Sequence, residues 1–296
     1  MSETNIKSQN PTLYIVATPI GNLSDVSFRA IETLKSVKYI ACEDTRTVLP
    51  LLQKYGIDSH KTFSCHKFNE LEAADYIINI MSTKDCDVAL ISDAGTPCVS
   101  DPGTLVVKAV REHGIRVVAI PGACAAVACI SMSGMIGEWA FMGFLPRDNK
   151  HLAIFIQKIK DSVLQNFIIY ESPKRVLDTL EFLNTHFSDA EYFVAKEITK
   201  IFEYSTFGSY QKVVNDLTLN TKVEKGEYVI ILRPNLLLKT AEKVILSPEA
   251  MIVQSMIEGN SLKDSISILS KNSEYSKNQL YQASLRLKDN FFDNNK

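Results

Sequence analysis

The 296-residue chain has few of the residues that build metal sites, disulfides or membrane spans. Its six cysteines include no CxxC pair, which predicts free thiols, and its five histidines are scattered without HExxH spacing, which predicts no metal site. No apolar run approaches the length of about 20 residues that a membrane span needs. The formal net charge of −2 excludes a strongly basic surface of the kind that binds nucleic acid generically. We therefore expect a cytoplasmic globular protein that recognises its partner through a few local side chains.

Two nucleotide-binding fingerprints, GxGxxG and GxxxxGK[ST], are also missing. The chain has instead three apolar runs, each followed by a loop with glycine and proline and then by a helical pattern. The runs cover 13–17, 88–91 and 117–120, and the loops cover 18–25, 92–103 and 121–125. In a parallel sheet such loops meet at the carboxyl ends of the strands, where small ligands bind. The pattern predicts a ligand pocket but does not identify the ligand.

The second of these loops predicts its own helix start. Within the loop 92–103, Asp101 is a good N-cap and Pro102 suits the first helical position, while Gly114 marks the end. We therefore expect a helix over 102–113.

The alternation of elements predicts an α/β fold with two domains and a helical appendage. We expect a disordered tail over 1–11, an N-terminal α/β domain over 12–134, a second α+β domain with antiparallel pairing over 135–233, a linker over 234–247 and helices over 248–296. Strands are predicted near 13–17, 37–41, 62–66, 88–92, 116–120, 166–170, 192–195 and 228–232, and first-domain helices near 25–35, 45–55, 69–82, 102–113 and 123–133. The final helices suit either a helix-turn-helix or a packing or dimer surface.

Four polar clusters follow predicted strands, at 43–46, 66–70, 170–175 and 196–200. Each alone is compatible with a solvated surface, but their shared position is typical of residues that line a cleft. Glu171 and Glu197 suit hydrogen-bond acceptors or bases, and Lys174, Arg175 and Lys200 suit phosphate groups. Spacing alone does not assign these roles.

These blocks, in this order, closely resemble the small-subunit (16S) ribosomal RNA (cytidine-2′-O-)-methyltransferase I family of the tetrapyrrole-methylase superfamily. The resemblance runs from about residue 12 to 233, and the helical tail is similar to the appendage of that family. It is carried by the segments 13–23, 43–46, 92–103, 143–147, 170–173 and 197–200.

The resemblance implies S-adenosylmethionine as methyl donor, a decoding-region cytidine as acceptor, the small ribosomal subunit as partner and a homodimer. It also implies roles for individual residues. The cofactor contacts are Pro19, Asp93, Ala94, Gly95, Cys98, Cys124, Ala125, Glu171, Ile198 and Thr199. The RNA contacts are Arg46, Asn69, Lys174 and Arg175, with His66 and Lys200 as further candidates on the RNA side.

The chain departs from the family pattern at several of these positions. It has Ala123-Cys124 where the family has Pro-Ser, so a hydroxyl group near the cofactor is absent. Lys174 stands in place of a usual histidine, Lys196 in place of an arginine and Cys65 in place of a common tyrosine. The two lysines keep positive charge available for RNA, whereas a mechanism that needs histidine at position 174 does not apply.

Methyl transfer to a ribose hydroxyl requires alignment of the reactants and removal of one proton. We hypothesise that Glu197, Lys200 or His66 assists the removal of that proton. Two alternatives remain open at this stage: a methyltransferase that acts on a porphyrin-like ring, and a non-catalytic RNA-binding or cofactor-sensing protein on the ribosome.

Overall fold

A computed structural model describes residues 11–57, 61–235, 246–273 and 275–288. Nearly all of the predicted tail and most of the predicted linker lie outside these residues. The described chain divides into one unit that ends at Asn235 and a second unit of C-terminal helices.

The first half of the larger unit is a five-stranded parallel sheet in the order β3-β2-β4-β1-β5. Its elements are, in chain order, β1 (Thr12–Val16), α1 (Phe28–Ser36), β2 (Tyr39–Cys42), α2 (Thr45–Lys54), β3 (Lys61–Ser64), α3 (Glu70–Lys84), β4 (Val88–Leu90), α4 (Thr104–Glu112), β5 (Arg116–Ile120) and α5 (Ala125–Ser133). Strands β2 and β4 are buried along their whole length because helices cover both faces of the sheet. All five predicted strands and five predicted helices are confirmed within a few residues.

The start of α4 differs from the prediction. The helix begins at Thr104, and its N-cap is Gly103 with φ +123° rather than Asp101. The carboxylate of Glu70 accepts hydrogen bonds from the backbone N–H groups of Gly103 and Leu105, at 2.6 and 3.1 Å. Because Glu70 supplies the cap from another helix, Asp101 stays in the loop, where its side chain has other neighbours.

The second half is a mixed sheet in the order β6-β7-β10-β8-β9. Its elements are β6 (Trp139–Phe144), α6 (Asn149–Lys160), β7 (Asn166–Glu171), α7 (Val176–His186), β8 (Glu191–Lys196), β9 (Tyr204–Gly208), α8 (Tyr210–Asn220) and β10 (Tyr228–Arg233). Strands β6 and β7 are parallel and the other pairs are antiparallel, as expected for this half. The edge strands β6 and β9 were not predicted, because β6 carries a bulge and both runs contain a glycine.

Helix α5 joins the two halves. Its buried residues Ala126 and Cys129 pack against Ile168, Phe193 and Val229 of the second sheet. The helix therefore follows a strand of the first sheet but buries its apolar face on the second, and its first turn lies between the two sheets.

The second unit consists of three helices, α9 (Pro248–Ile257), α10 (Leu262–Asn272) and α11 (Lys277–Leu287). Serines cap all three, and their core contains Ile252, Ile266, Leu280 and Leu287. This confirms the predicted helices. None of the helices in the described part of the chain is long and apolar enough to cross a membrane.

Candidate active site

A cavity of about 360 Å³ lies between the two sheets. This volume is within the range of about 300–1,000 Å³ that small-molecule sites occupy. The loops after β1, β4 and β5 form one wall, and the ends of β6 and β7 with the start of β10 form the other. The lining residues are Ile20, Ala94, Gly95, Thr96, Val99, Ser100, Asp101, Cys124, Ala125, Phe144, Tyr170, Glu171, Ser172, Pro173, Glu227, Tyr228 and Val229.

The first wall consists largely of small residues held by backbone hydrogen bonds. Thr18 and Gly95 exchange two of these bonds, from Thr18 N to Gly95 O at 2.8 Å and from Gly95 N to Thr18 O at 3.1 Å. Gly95 has φ +85°, and a Cβ atom at this position would come within 3.2 Å of Ile20 Cγ2. The loops thus need glycine here both for the turn and for the close approach.

Among the described residues of the first half, Asp101 is the one acidic side chain that lines the cavity. Burial and the nearby Asp93 raise its pKa, against a hydrogen bond from Ser92 that lowers it. Asp93 itself does not line the cavity and accepts a hydrogen bond from Asp44 N at 3.1 Å. Asp101 was not predicted as a site residue, because the sequence pattern around it is that of a helix N-cap.

The two cysteines predicted at the site occupy different places. Cys124 lines the cavity next to Ala125 at the start of α5. Cys98 packs instead against the core below the first sheet, and burial raises the pKa of its thiol to about 11. Both thiols are free, but Cys98 is protonated at neutral pH and has a packing role.

Glu171 lines the cavity, yet its carboxylate is fully engaged within the protein. One oxygen accepts hydrogen bonds from the backbone N–H and the hydroxyl of Ser172, and the other accepts from Thr179 at 2.8 Å. Arg175 lies 3.3 Å from the second oxygen and also donates to Leu145 O. The carboxylate therefore organises the wall, and Arg175, predicted for RNA, is held inside the fold.

On the other side of β10 from Glu171, Lys200 joins two carboxylates. Its Nζ atom lies 2.9 Å from Glu197 Oε1 and 2.9 Å from Glu227 Oε2. Burial lowers the pKa of this lysine, but the two hydrogen bonds outweigh burial and the net shift is upward. We call Glu197, Lys200 and Glu227 the ion-pair cluster. It touches the cavity through Glu227.

The loop that carries this cluster is strained and reaches the first half of the molecule. Glu197 has φ +52° and Thr199 has φ +70°, a region that non-glycine residues rarely occupy. The hydroxyl of Thr199 accepts a hydrogen bond from Asn22 N at 3.1 Å, in the loop after β1. Segments far apart in the chain are thus fastened together next to the cavity.

The structure does not bring all predicted residues to the cavity. Ala94, Gly95, Cys124, Ala125 and Glu171 line it. Pro19, Asp93, Cys98, Ile198 and Thr199 do not, and Ile198 is buried in the core beside α5.

The residues predicted for RNA and for proton removal are scattered. Asn69 ties its own loop together by accepting from His66 N and donating to Ser64 O. Arg46 is exposed and paired with Asp44, and Lys174 is exposed. No side chain of this group lines the cavity within the described part of the chain.

Comparisons with known proteins agree with this geometry. Residues 12–213 match the family described as Tetrapyrrole (Corrin/Porphyrin) Methylases. The chain is 40% identical over 276 residues to the ribosomal RNA small subunit methyltransferase I of Haemophilus influenzae, which covers 92% of this chain and 96% of that protein. It is 36% identical over 290 residues to the protein of the same name from Buchnera aphidicola, which covers 96% of this chain and 99% of that protein.

Solved structures share the fold at much lower identity. A diphthine synthase superposes with a TM-score of 0.58 at 12% identity, covering 76% of this chain and 90% of that one. The uroporphyrin-III-C-methyltransferase from Thermus thermophilus superposes with a TM-score of 0.54 at 14% identity, covering 76% of this chain and 94% of that one. These likenesses establish the architecture alone, whereas the closer relatives establish the family. The chain is therefore an enzyme that belongs to the ribosomal RNA small subunit methyltransferase I family, within the tetrapyrrole methylases.

Proposed function

We propose that this enzyme transfers a methyl group from S-adenosylmethionine to small-subunit ribosomal RNA, at the ribose 2′-oxygen of a decoding-region cytidine. We further propose that it works in the cytoplasm as a homodimer, on the assembled subunit. The observation that carries the proposal is the similarity to the Haemophilus relative over nearly the whole of both chains. The modest net charge favours an assembled particle, whose preformed shape a few local cations can recognise.

The cavity suits S-adenosylmethionine in size and in the chemistry of its walls. Ile20, Val99 and Val229 offer apolar contacts for an adenine ring, and Gly95 and Ala125 leave room for a ligand against the backbone. The Asp101 carboxylate suits a cationic group. When bound, this cofactor supplies an electrophilic methyl group on a positively charged sulfur.

Five of the predicted cofactor contacts do not line the cavity. We propose that they support the residues that do. Thr199 holds the loop after β1 through Asn22, and Cys98, in the same loop as Gly95, packs against the core. Asp93 holds Asp44 at the edge of the same sheet.

The ion-pair cluster offers the best-placed groups for removal of the hydroxyl proton. Glu197 Oε1 is held by Lys200 Nζ and by Glu227 N, at 2.9 and 3.0 Å, so the orientation of the carboxylate is fixed. Lys200 is charged at neutral pH because its pKa is raised, so it positions the carboxylate and does not accept the proton. We therefore assign proton removal to Glu197, with His66 as the second candidate. General base catalysis contributes about 10²–10⁴-fold, and alignment of the reactants about 7–11 kcal/mol.

The test is transfer of labelled methyl groups to small ribosomal subunits that lack the modification, with protein-free ribosomal RNA alongside. We expect alkali-resistant label at one cytidine, with subunits as the better substrate. Glu197→Gln should lower the single-turnover rate by about 10²–10⁴-fold, and Lys200→Ala should lower it as well. The exposed Glu181→Gln and Lys158→Ala serve as matched controls that should keep the normal rate.

Other outcomes would contradict particular parts of this assignment. Label on a porphyrin-like ring but not on RNA would place the enzyme with the small-molecule methylases of the same fold. Near-normal rates for both Glu197→Gln and Lys200→Ala would remove the cluster from the mechanism and leave His66 to be tested.

A further inference from the structure

A second opening, of about 670 Å³, lies beside the ion-pair cluster on the outer part of the second sheet. The end of β8, the loop that leads into β9, the end of α8 and the loop before β10 surround it. We call it the Phe202 groove. It includes Lys196, Phe202, Leu219, Lys222 and Lys225 among its lining residues.

The floor of the groove contains a buried cation. Lys196 is only 4% exposed, and its Nζ atom donates to Lys222 O at 2.6 Å and lies 5.5 Å from the centre of the Tyr228 ring. An ammonium group has three protons to donate, and the described residues accept one of them. Burial lowers the pKa of Lys196, so the charge is held at a cost that an anion in the groove would offset.

The rim of the groove carries apolar side chains that the fold leaves uncovered. Ile201 is 95% exposed, Phe202 is 77% exposed and Leu219 is 83% exposed. Ile201 and Phe202 belong to the loop that begins with the positive φ angles of Glu197 and Thr199. An exposed aromatic ring on a strained loop, next to lysines, has the chemistry of a stacking surface for single-stranded nucleic acid.

The groove and the cavity both border the ion-pair cluster. Glu197 and Gly226 line the groove, whereas Glu227 and Tyr228 line the cavity. The separation is fixed by close packing, since a Cβ atom on Gly226 would lie 2.6 Å from Glu197 Cγ. A ligand in the groove is therefore adjacent to the proposed site of methyl transfer.

We propose that the Phe202 groove binds a single-stranded RNA nucleotide next to the one that is methylated, with its base stacked on Phe202 and its phosphate at Lys196, Lys222 and Lys225. This inference rests on the proposed function, because it assigns part of the same RNA substrate. Glu203 also lines the groove, and its carboxylate accepts a hydrogen bond from Thr199 N.

The first test compares Phe202→Ala and Phe202→Trp in methyl transfer to small subunits. Removal of the stacking ring should raise KM by about 5- to 150-fold, while kcat and the affinity for S-adenosylmethionine stay unchanged. Phe202→Trp should restore KM, and its fluorescence should be quenched by a short RNA when Trp139 is replaced by phenylalanine. Val163→Ala, which truncates an exposed apolar side chain on another loop, is the control.

The second test measures the salt dependence of RNA binding in the double variant Lys222→Ala/Lys225→Ala. For each phosphate that a lysine no longer neutralises, the slope of log K against log salt should become shallower by about 0.7. The double variant Lys158→Ala/Lys160→Ala, on exposed positions of α6, should keep the wild-type slope.

The proposal and the proposed function fail in different ways. A wild-type enzyme that transfers no methyl group to RNA would refute the proposed function. An active wild type with an unchanged KM in Phe202→Ala would refute the groove alone. A failure of Phe202→Ala to form dimers, seen by sedimentation, would show instead that the groove is an interface between copies of the chain, and would also overturn the proposal.

Discussion

The two sheets meet the cavity with different kinds of chemical groups. The parallel sheet contributes backbone and mostly small side chains, on loops of which one turns tightly at Gly95. The mixed sheet contributes aromatic side chains and two carboxylates, Glu171 held by Thr179 and Glu227 held by Lys200. The parallel half therefore provides the space for a ligand, and the mixed half holds charged groups in fixed positions beside it.

This difference follows from the direction of the strands. In a parallel sheet all carboxyl ends lie at one edge, so successive loops converge there. In the antiparallel part, β7 and β8 end where β10 begins, and the register pairs Tyr228 with both Glu171 and Lys196. The same edge thus collects polar residues that are 25 to 57 positions apart in the chain: Glu171, Lys196 and Tyr228.

The largest effect is expected from filling the space that the first sheet leaves. Gly95→Val places a β-branched side chain at φ +85° and against Ile20, which costs about 1–3 kcal/mol in backbone strain alone. We expect the affinity for S-adenosylmethionine, measured by calorimetry, to fall by about 30-fold or more, equivalent to about 2 kcal/mol. Gly56→Val is the control, because Gly56 also has a positive φ but open space around it. Normal cofactor binding by Gly95→Val would show that the loop with Gly95 is not part of the cofactor site.

A smaller effect, of a different kind, is expected in the second sheet. Glu171→Gln replaces a buried acceptor by a group that cannot accept every bond from Ser172 and Thr179 and leaves Arg175 without its carboxylate. We expect the free energy of unfolding, measured with urea, to fall by about 1–2 kcal/mol. The exposed Glu181→Gln on the same helix as Thr179 should change it little. A decrease in cofactor affinity without a decrease in stability would assign Glu171 a direct binding role instead.

The smallest effect concerns pH and Asp101. Its pKa is raised in the folded state, above the value of about 3.9 in the unfolded chain, so the folded protein retains this proton to higher pH. As pH rises between these two pKa values, stability is lost. Asp101→Asn should therefore have a higher Tm than the wild type at pH 7, and the difference should disappear below about pH 4. Asp189→Asn, on the surface, should show no such pH-dependent difference.

Sequence reasoning located the first half of the site better than the second, for physical reasons. Local signals such as Gly95 in its turn predicted the loops, and Ala94, Cys124 and Ala125 do line the cavity. Asp101 was assigned to a helix cap, since no local pattern reveals that Glu70 caps α4 from another helix. The pairing of Lys200 with Glu227 depends on strand register, which the sequence does not display.

The packing of α5 ties the stability of the two halves together. Its core cluster takes side chains from the helix itself and from β7, β8 and β10, so the apolar face of α5 has no cover unless the second sheet is folded. Heat should therefore melt both sheets in one cooperative transition rather than in two steps. It also follows that neither sheet could be exchanged for that of a distant relative without redesign of the helix surface.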